Sequence, residues 1–197
     1  KHPLTVNGMK AATSGYDRLE DWLERTTNFG VVCNESGFCV LDVDPRNGGF
    51  ESFEKLCEDF PTISWDTVKA STGEHAWDDY LALGSHYYFA APEGMLFKAN
   101  LGPKYPGIDI KHNGYVIAPG SRHYSGHTYE LANSDSQEEI IMADLPAFLL
   151  AIMSRSAGRG ETQSGVRDLA GLTTEMSAYG KRALDGESEA VRQSREG

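Results

Sequence analysis

Apolar positions along residues 1–153 repeat with two periods, one helical and one alternating. Residues 16–25 follow the helical period, with Leu19, Trp22 and Leu23 on one face. Asn28-Phe29-Gly30 breaks that pattern and leads into a strand at 31–33. Asn34-Glu35-Ser36-Gly37 reads as a turn, and 38–44 as the next strand, so the two strands are expected to form a hairpin. A Gly-rich loop at 46–49 precedes a second helix at 50–60, with Phe53, Leu56, Cys57 and Phe60 on its apolar face and Pro61 ending it. Strands are expected at 67–71 and 85–90, separated by a polar excursion at 72–84. Short strands at 107–110 and 114–118 flank a His112-Asn113-Gly114 turn, and 127–131 closes the β-rich part. Residues 137–153 read as a helix in which Pro146 marks a boundary or kink.

The character changes after Met153. Residues 154–165 are polar and Gly-rich, as in a linker. Residues 166–197 keep a helical period but little apolar mass, as expected of an appendage that packs on further chain. The domain boundaries expected are therefore 1–153, 154–165 and 166–197. No apolar run approaches the ~20 residues of a membrane span, so no membrane partner is expected. Cys33, Cys39 and Cys57 show no metal-type spacing. They fit a reduced, cytoplasmic protein, and no zinc site is expected. The net charge of −11 argues against a nonspecific nucleic-acid coat. Its distribution matters more. Between 94 and 129 the only acid is Asp109, against Lys98, Lys104, Lys111 and Arg122, with His112, His123 and His127 nearby. Such a segment suits an anionic ligand such as a triphosphate; ordinary loop charge would look the same.

The candidate chemistry starts at Val40-Leu41-Asp42-Val43-Asp44-Pro45. Alternate side chains of a strand share a face, so Asp42 and Asp44 are expected to point together at its C-terminal edge, where Pro45 ends the ladder. Two carboxylates so placed repel unless neutralised. A pair of divalent cations roughly 3.5–4 Å apart is one answer, used in phosphoryl transfer. Two further elements stand out. Gly84-Ser85-His86-Tyr87-Tyr88-Phe89 puts a histidine at the start of an aromatic strand, after two small residues that would let a ligand approach the backbone. Gly107-Ile108-Asp109-Ile110-Lys111 holds an isolated aspartate among β-branched residues.

An Asp-x-Asp strand, then a small-x-His strand, then a hydrophobic-Asp strand resembles the three catalytic motifs of the archaeo-eukaryotic primase superfamily. The flanking residues resemble its bifunctional DNA primase/polymerase (prim-pol) branch: Asn28-Phe29-Gly30, Gly48-Gly49, Pro106, and Tyr115 to Ser121 with His123, Ser125-Gly126 and Tyr129. The opening His2-Pro3-Leu4 with Lys10-Ala11-Ala12-Thr13 is similar too. The resemblance covers about residues 2–150. It departs from the family at the long run from Gly73 to Gly84, and at Gly120, where a second proline is usual. Residues 179–197 resemble the first helix of the accessory region that follows such cores in phage and plasmid replication proteins, so an excised domain is expected.

The resemblance implies an α/β (α+β) fold: an RRM-like antiparallel catalytic sheet, an N-terminal α/β module and a helical C-terminal appendage. It implies a DNA primase/polymerase working by template-directed nucleotidyl transfer. Asp42, Asp44 and Asp109 would hold two divalent ions, Mg²⁺ or Mn²⁺, and His86 would donate to a phosphate oxygen. Lys111, Ser121 and His123 would contact the β/γ-phosphates, with Arg122 a weaker candidate. Asn28 would contact the nucleotide or order the motif strands. Trp77 and Tyr80 have ring faces able to stack on template bases, although an ordinary packed excursion is the plainer reading. The partners implied are a single-stranded DNA template, a primer, an NTP or dNTP, and a helicase in the same full-length polypeptide, in a bacterial host cytoplasm if phage or plasmid encoded. Two other classes stay open on residues alone. One is a metal-dependent nickase or nuclease of replication initiation; the other is a non-catalytic origin or single-strand-binding module.

Overall fold

Strand β2 (Phe38–Val43) is almost continuously buried, which is the signature of a strand covered on both faces. It lies inside a five-stranded antiparallel sheet of order β5-β2-β4-β3-β7, built from β3 (Lys69–Trp77), β4 (Tyr80–Ala90), β5 (Ile108–Lys111) and β7 (Glu130–Leu131). The structure is a computed structural model and describes residues 4–26, 28–77, 80–132 and 141–155. On one face of the sheet, Cys39, Leu41, Val43, Tyr87, Phe89, Ile108 and Ile110 pack on helices α2 (Gly49–Asp59) and α3 (Ala147–Met153), through Leu56, Leu149 and Met153. Phe53 stacks on Tyr87 at a centroid separation of 4.7 Å, and Trp65 meets Tyr87 edge-on. On the other face, Phe38, Val40, Ala70 and Tyr88 are capped by Cys33 and Val116. The protein is thus a mixed α+β domain with antiparallel sheets, in keeping with the α/β primase-type fold expected from the sequence.

Cys33 and Val116 belong to a second, two-stranded sheet of β1 (Gly30–Val32) and β6 (Tyr115–Ile117). The hairpin expected between 31–33 and 38–44 is therefore not formed. Both edges of β2 are already taken, by β4 and β5, so β1 has no ladder to join there. A tight turn at 33–37, closed by Phe38 N–H donating to Cys33 C=O at 3.1 Å, lifts β1 off the sheet. Cys33 and Asn34 N–H donate instead to Gly114 and His112 C=O. Helix α1 (Tyr16–Leu23) lies at the surface; Leu19 and Trp22 are half-buried and Leu23 is exposed.

Two other expectations change. The polar excursion at 72–84 is mostly the distal half of the β3–β4 hairpin, with a register shift between Ser71 and Glu74. Its alternation of Leu81 (exposed), Ala82 (buried), Leu83 (exposed) and Gly84 (buried) is strand-like despite its polar content. The helix expected from 137 begins only at Ala147, with Pro146 in extended backbone at its N-cap. Just before it, Ala143 C=O accepts from Ala90 N–H and Leu145 N–H donates to Ala90 C=O, so this backbone extends along β4. Residues 137–140, the 156–165 part of the linker, the helical region 166–197 and the side chains of Trp77 and Tyr80 lie outside the described residues.

The loop after β2 is held by close backbone contact. Asp44 N–H donates to Gly107 C=O at 2.9 Å, and Gly49 N–H donates to Asp44 C=O at 3.0 Å. Gly107 has φ +75°, and a Cβ there would stand 2.5 Å from Gly49 N. Gly37 has a matching φ of +76° in open space. Gly107→Ala is therefore expected to destabilise the domain by more than Gly37→Ala, whose cost is the conformational one of about 1 kcal/mol. Urea unfolding of both variants measures the difference.

Candidate active site

Sheet register brings the three sequence motifs into one line. Asp42 on β2 stands directly opposite His86 on β4 and directly opposite Asp109 on β5. Residues directly opposite in a ladder share a face, so all three side chains project from the same side of the sheet. His86 Nε2 lies 3.5 Å from Asp42 Oδ1, and its Nδ1 lies 3.4 Å from the Tyr88 hydroxyl. The ring is buried between them. Gly84, expected to leave room for a ligand, instead leaves room for Thr72, whose Oγ1 would be 2.5 Å from a Cβ.

Asp44 follows the last residue of β2 and caps the 3-10 turn Pro45–Asn47. Its Oδ1 accepts from Arg46 N–H and Nε, each at 3.0 Å, and its Oδ2 accepts from an Arg46 guanidinium N–H at 2.7 Å and from Asn47 Nδ2 at 3.0 Å. Asp42, Asp44 and His86 nevertheless open onto one small polar cleft of about 60 Å³, completed by Arg46, Thr72, His123 and Tyr129. Asp109 lies beyond Asp42 and its side chain is half exposed.

Lys111 holds the carboxylates together. Two residues after Asp109 on β5, it shares that residue's face and reaches both acids. Nζ lies 2.7 Å from Asp109 Oδ2 and 3.4 Å from Asp42 Oδ2. Burial disfavours the charged form of Asp42, but the hydrogen bonds and charges of His86 and Lys111 outweigh it and hold the carboxyl below its usual value. Burial likewise opposes the Lys111 ammonium, and the hydrogen bond to Asp109 and the charges of Asp42 and Asp109 raise its pKa overall.

The far wall of the cleft is the segment after β6. Asn28 Nδ2 donates to Arg122 C=O at 3.1 Å, and Arg122 N–H donates to Asn28 Oδ1 at 2.8 Å. Ser121 Oγ accepts from Phe29 N–H at 3.0 Å. Asn28 thus ties its own segment to the loop at Arg122. Ser121, expected on phosphate, is 1% exposed with its hydroxyl turned to backbone, so it too positions the wall. The Arg122 side chain is not among those lining the cleft. His123 is in the cleft. Its ring lies against Gly73, where no side chain fits, and its Nδ1 is 2.9 Å from Ser125 Oγ. Arg46, Thr72 and Tyr88 were not named as site residues from sequence, and Tyr129 entered only through the resemblance, without a role. Arg46 had a readable signal, being the first donor after an aspartate that precedes a proline turn.

The sequence matches the family described as bifunctional DNA primase/polymerase, N-terminal, over residues 1–148. The chain belongs to that family, whose members are primases and polymerases of the nucleotidyltransferase type. No curated protein and no solved structure matches it. Among the described residues no helix is long and apolar enough to cross a membrane.

The donor set of Asp42, Asp44 and Asp109 is all carboxylate oxygen, the chemistry that suits Mg²⁺ or Mn²⁺. Among the described residues no three His, Cys, Asp or Glu side chains converge into a ready-made metal cage. Each of these carboxylates is instead satisfied by a cation of the chain, Asp44 by Arg46 and the other two by Lys111. The bridging Lys111 ammonium is one positive charge shared by Asp42 and Asp109, and the two carboxylates would take a divalent ion only in its place.

Because its pKa is lowered on folding, Asp42 adds stability above its unfolded-state value of about 3.9, and that contribution is lost as pH falls through the folded value. Lys111→Met is expected to raise the Asp42 pKa, read by a carboxyl ¹³C titration, and to weaken the acid limb of stability.

Proposed function

We propose that this domain synthesises DNA on a single-stranded template by nucleotidyl transfer, with Asp42, Asp44 and Asp109 as metal ligands and His86 as a phosphate donor. The observation that carries the reading is the single rank Asp109–Asp42–His86 on three neighbouring strands, beside a cleft that also holds Asp44. The 3′-oxygen of a primer attacks the α-phosphorus of a nucleotide. The bond from that phosphorus to the β-phosphate bridging oxygen breaks, pyrophosphate leaves, and the 3′-hydroxyl proton passes to solvent.

Two divalent ions, Mg²⁺ or Mn²⁺, held by the three carboxylates would supply an activated 3′-oxygen and neutralise the leaving group. Lys111 bridges Asp42 and Asp109, and Arg46 pairs with Asp44; on this reading both cations turn to the triphosphate when a nucleotide binds. His86 Nε2, 3.5 Å from Asp42 Oδ1, would donate to a phosphate oxygen and stabilise charge that grows in the transition state. His123 lines the opposite side of the cleft and contacts the β/γ-phosphates. The template, the primer and a helicase in the full polypeptide are the partners of this activity, in phage or plasmid replication.

Extension of a labelled primer tests the reading. Wild-type protein with dNTPs and Mg²⁺ or Mn²⁺ is expected to extend, and chelation with EDTA to stop it. Asp42→Ala/Asp44→Ala should abolish extension with the fold retained by circular dichroism. His86→Ala should lower kcat by about 10²–10³-fold. Undiminished extension by the double aspartate variant would sink the assignment. Metal-dependent strand cleavage without dNTPs would point to a nickase instead.

A further inference from the structure

A second cavity opens on the far side of Lys111, at the outer end of β5. It has a volume of about 490 Å³ and is lined by Phe97, Lys98, Ala99, Ile110, Lys111, His112, Asn113, Gly114 and Arg155. Three of these are Lys or Arg, and among the described residues no acid lines it. That is unexpected in a chain with 29 acidic and 18 basic residues. Random surface in such a protein would carry acids; a segregated cationic groove marks a polyanion.

The groove is built rather than incidental. Its floor is the buried pair Phe97 and His112, with ring centroids 4.7 Å apart, and His112 Nδ1 is fixed 3.1 Å from Phe38 C=O. Its two outer cations are set by a clasp between 96–98 and 153–155. Lys98 N–H donates to Met153 C=O at 2.8 Å, Arg155 N–H donates to Leu96 C=O at 2.9 Å, and Phe97 bridges Ser154. Among the described residues Lys98 Nζ donates to Ile152 C=O at 2.7 Å, one of the three N–H groups of an ammonium. Gly114 faces open space, so the rim admits a chain. The inner end is Lys111, which touches Asp42 and Asp109.

We infer that this groove binds the phosphodiester backbone of single-stranded DNA and leads that strand to the catalytic rank. The inference rests on the polymerase reading and names its strand-binding surface. A strand seated on Arg155 and Lys98 runs toward Lys111, beside Asp42 and Asp109. The lining offers cations and backbone but no exposed ring for stacking, so recognition is by phosphate and independent of base sequence.

The test is fluorescence anisotropy of a labelled oligothymidine with a 5′-hydroxyl, at low and increasing salt, with the 197-residue chain. Lys98→Gln/Arg155→Gln is expected to bind about tenfold more weakly and to flatten the slope of log K against log salt by about 1.4, the value for two lost single-strand phosphate contacts. Arg155→Gln alone, at an exposed position, should show about half of that slope change. Lys10→Gln/Arg18→Gln, equal in charge but on the N-terminal surface, should bind as wild type. Binding of a labelled dNTP should be unchanged in all three. The groove assignment is overturned if wild type fails to bind at low salt, if the control loses as much as the groove variant, or if the groove variant loses dNTP binding and keeps the oligonucleotide. Failure of the polymerase reading shows separately, as extension that survives Asp42→Ala/Asp44→Ala while these binding results stand.

Discussion

A carboxylate in the middle of a sheet governs this domain. Asp42 stands on an inner strand, β2, with a neighbour on each side, its side chain only about a quarter exposed. Partial burial disfavours its charge, and the structure answers with two polar groups from two different strands, His86 and Lys111. Both partners depend on register. A slip of one residue in either ladder would turn His86 or Asp109 and Lys111 to the helix-covered face, into the company of Leu41 and Phe89. Core packing and site assembly are therefore the same condition. The apolar alternation that buries Cys39, Leu41 and Val43 against α2 and α3 also delivers Asp42, His86 and Asp109 to one line.

The parts of this arrangement set by local pattern were legible in the sequence. The run from Phe38 to Val43, the aromatic strand from Tyr87 to Phe89 and the helix bearing Phe53 and Leu56 each declare themselves by periodicity. The grouping of the three motifs rested on the family resemblance and not on any local pattern. Long-range pairing was not legible. Nothing near residues 30–32 states that their partner is Tyr115–Ile117, because the decision is taken by the edges of β2, which β4 and β5 occupy. Polar content hid the β3–β4 hairpin, where alternation of buried and exposed positions outweighs composition. Asn28 and Ser121 were visible as candidates, but their roles follow from partners 92 to 94 residues away in the chain.

The carboxylates and the cations of the chain form a closed set around the rank. Arg46 folds back on Asp44 from the turn it caps, and Lys111 leans from β5 across Asp109 to Asp42. Each acid is matched locally, which lets them crowd together at one end of a thin sheet. Both cations are side chains on flexible stems, able to leave without disturbing the backbone. The rigidity needed to hold the acids apart lies instead in the ladder hydrogen bonds and in the glycine contact between Gly107 and the 44–49 loop.

The wall of the cleft has a different mechanical origin from its floor. The floor is continuous sheet, while the wall hangs from β1 and β6, pinned by Asn28 to Arg122 and by Phe29 to Ser121. Those two strands enter from opposite sides of β2 in the sequence and, among the described residues, form their ladder with each other. The ribbon and loop are tied to one another by backbone-directed hydrogen bonds, and to the floor by the apolar seam of Cys33, Val116, Val40 and Tyr88 and by the ladder of β7 on β3. The wall is therefore anchored at two places, by the apolar seam beneath β1 and β6 and by the β7 ladder on β3 beyond Tyr129. The aperture over Asp42 is spanned like a strap fastened at both ends, its width fixed by the same sheet that carries the acids.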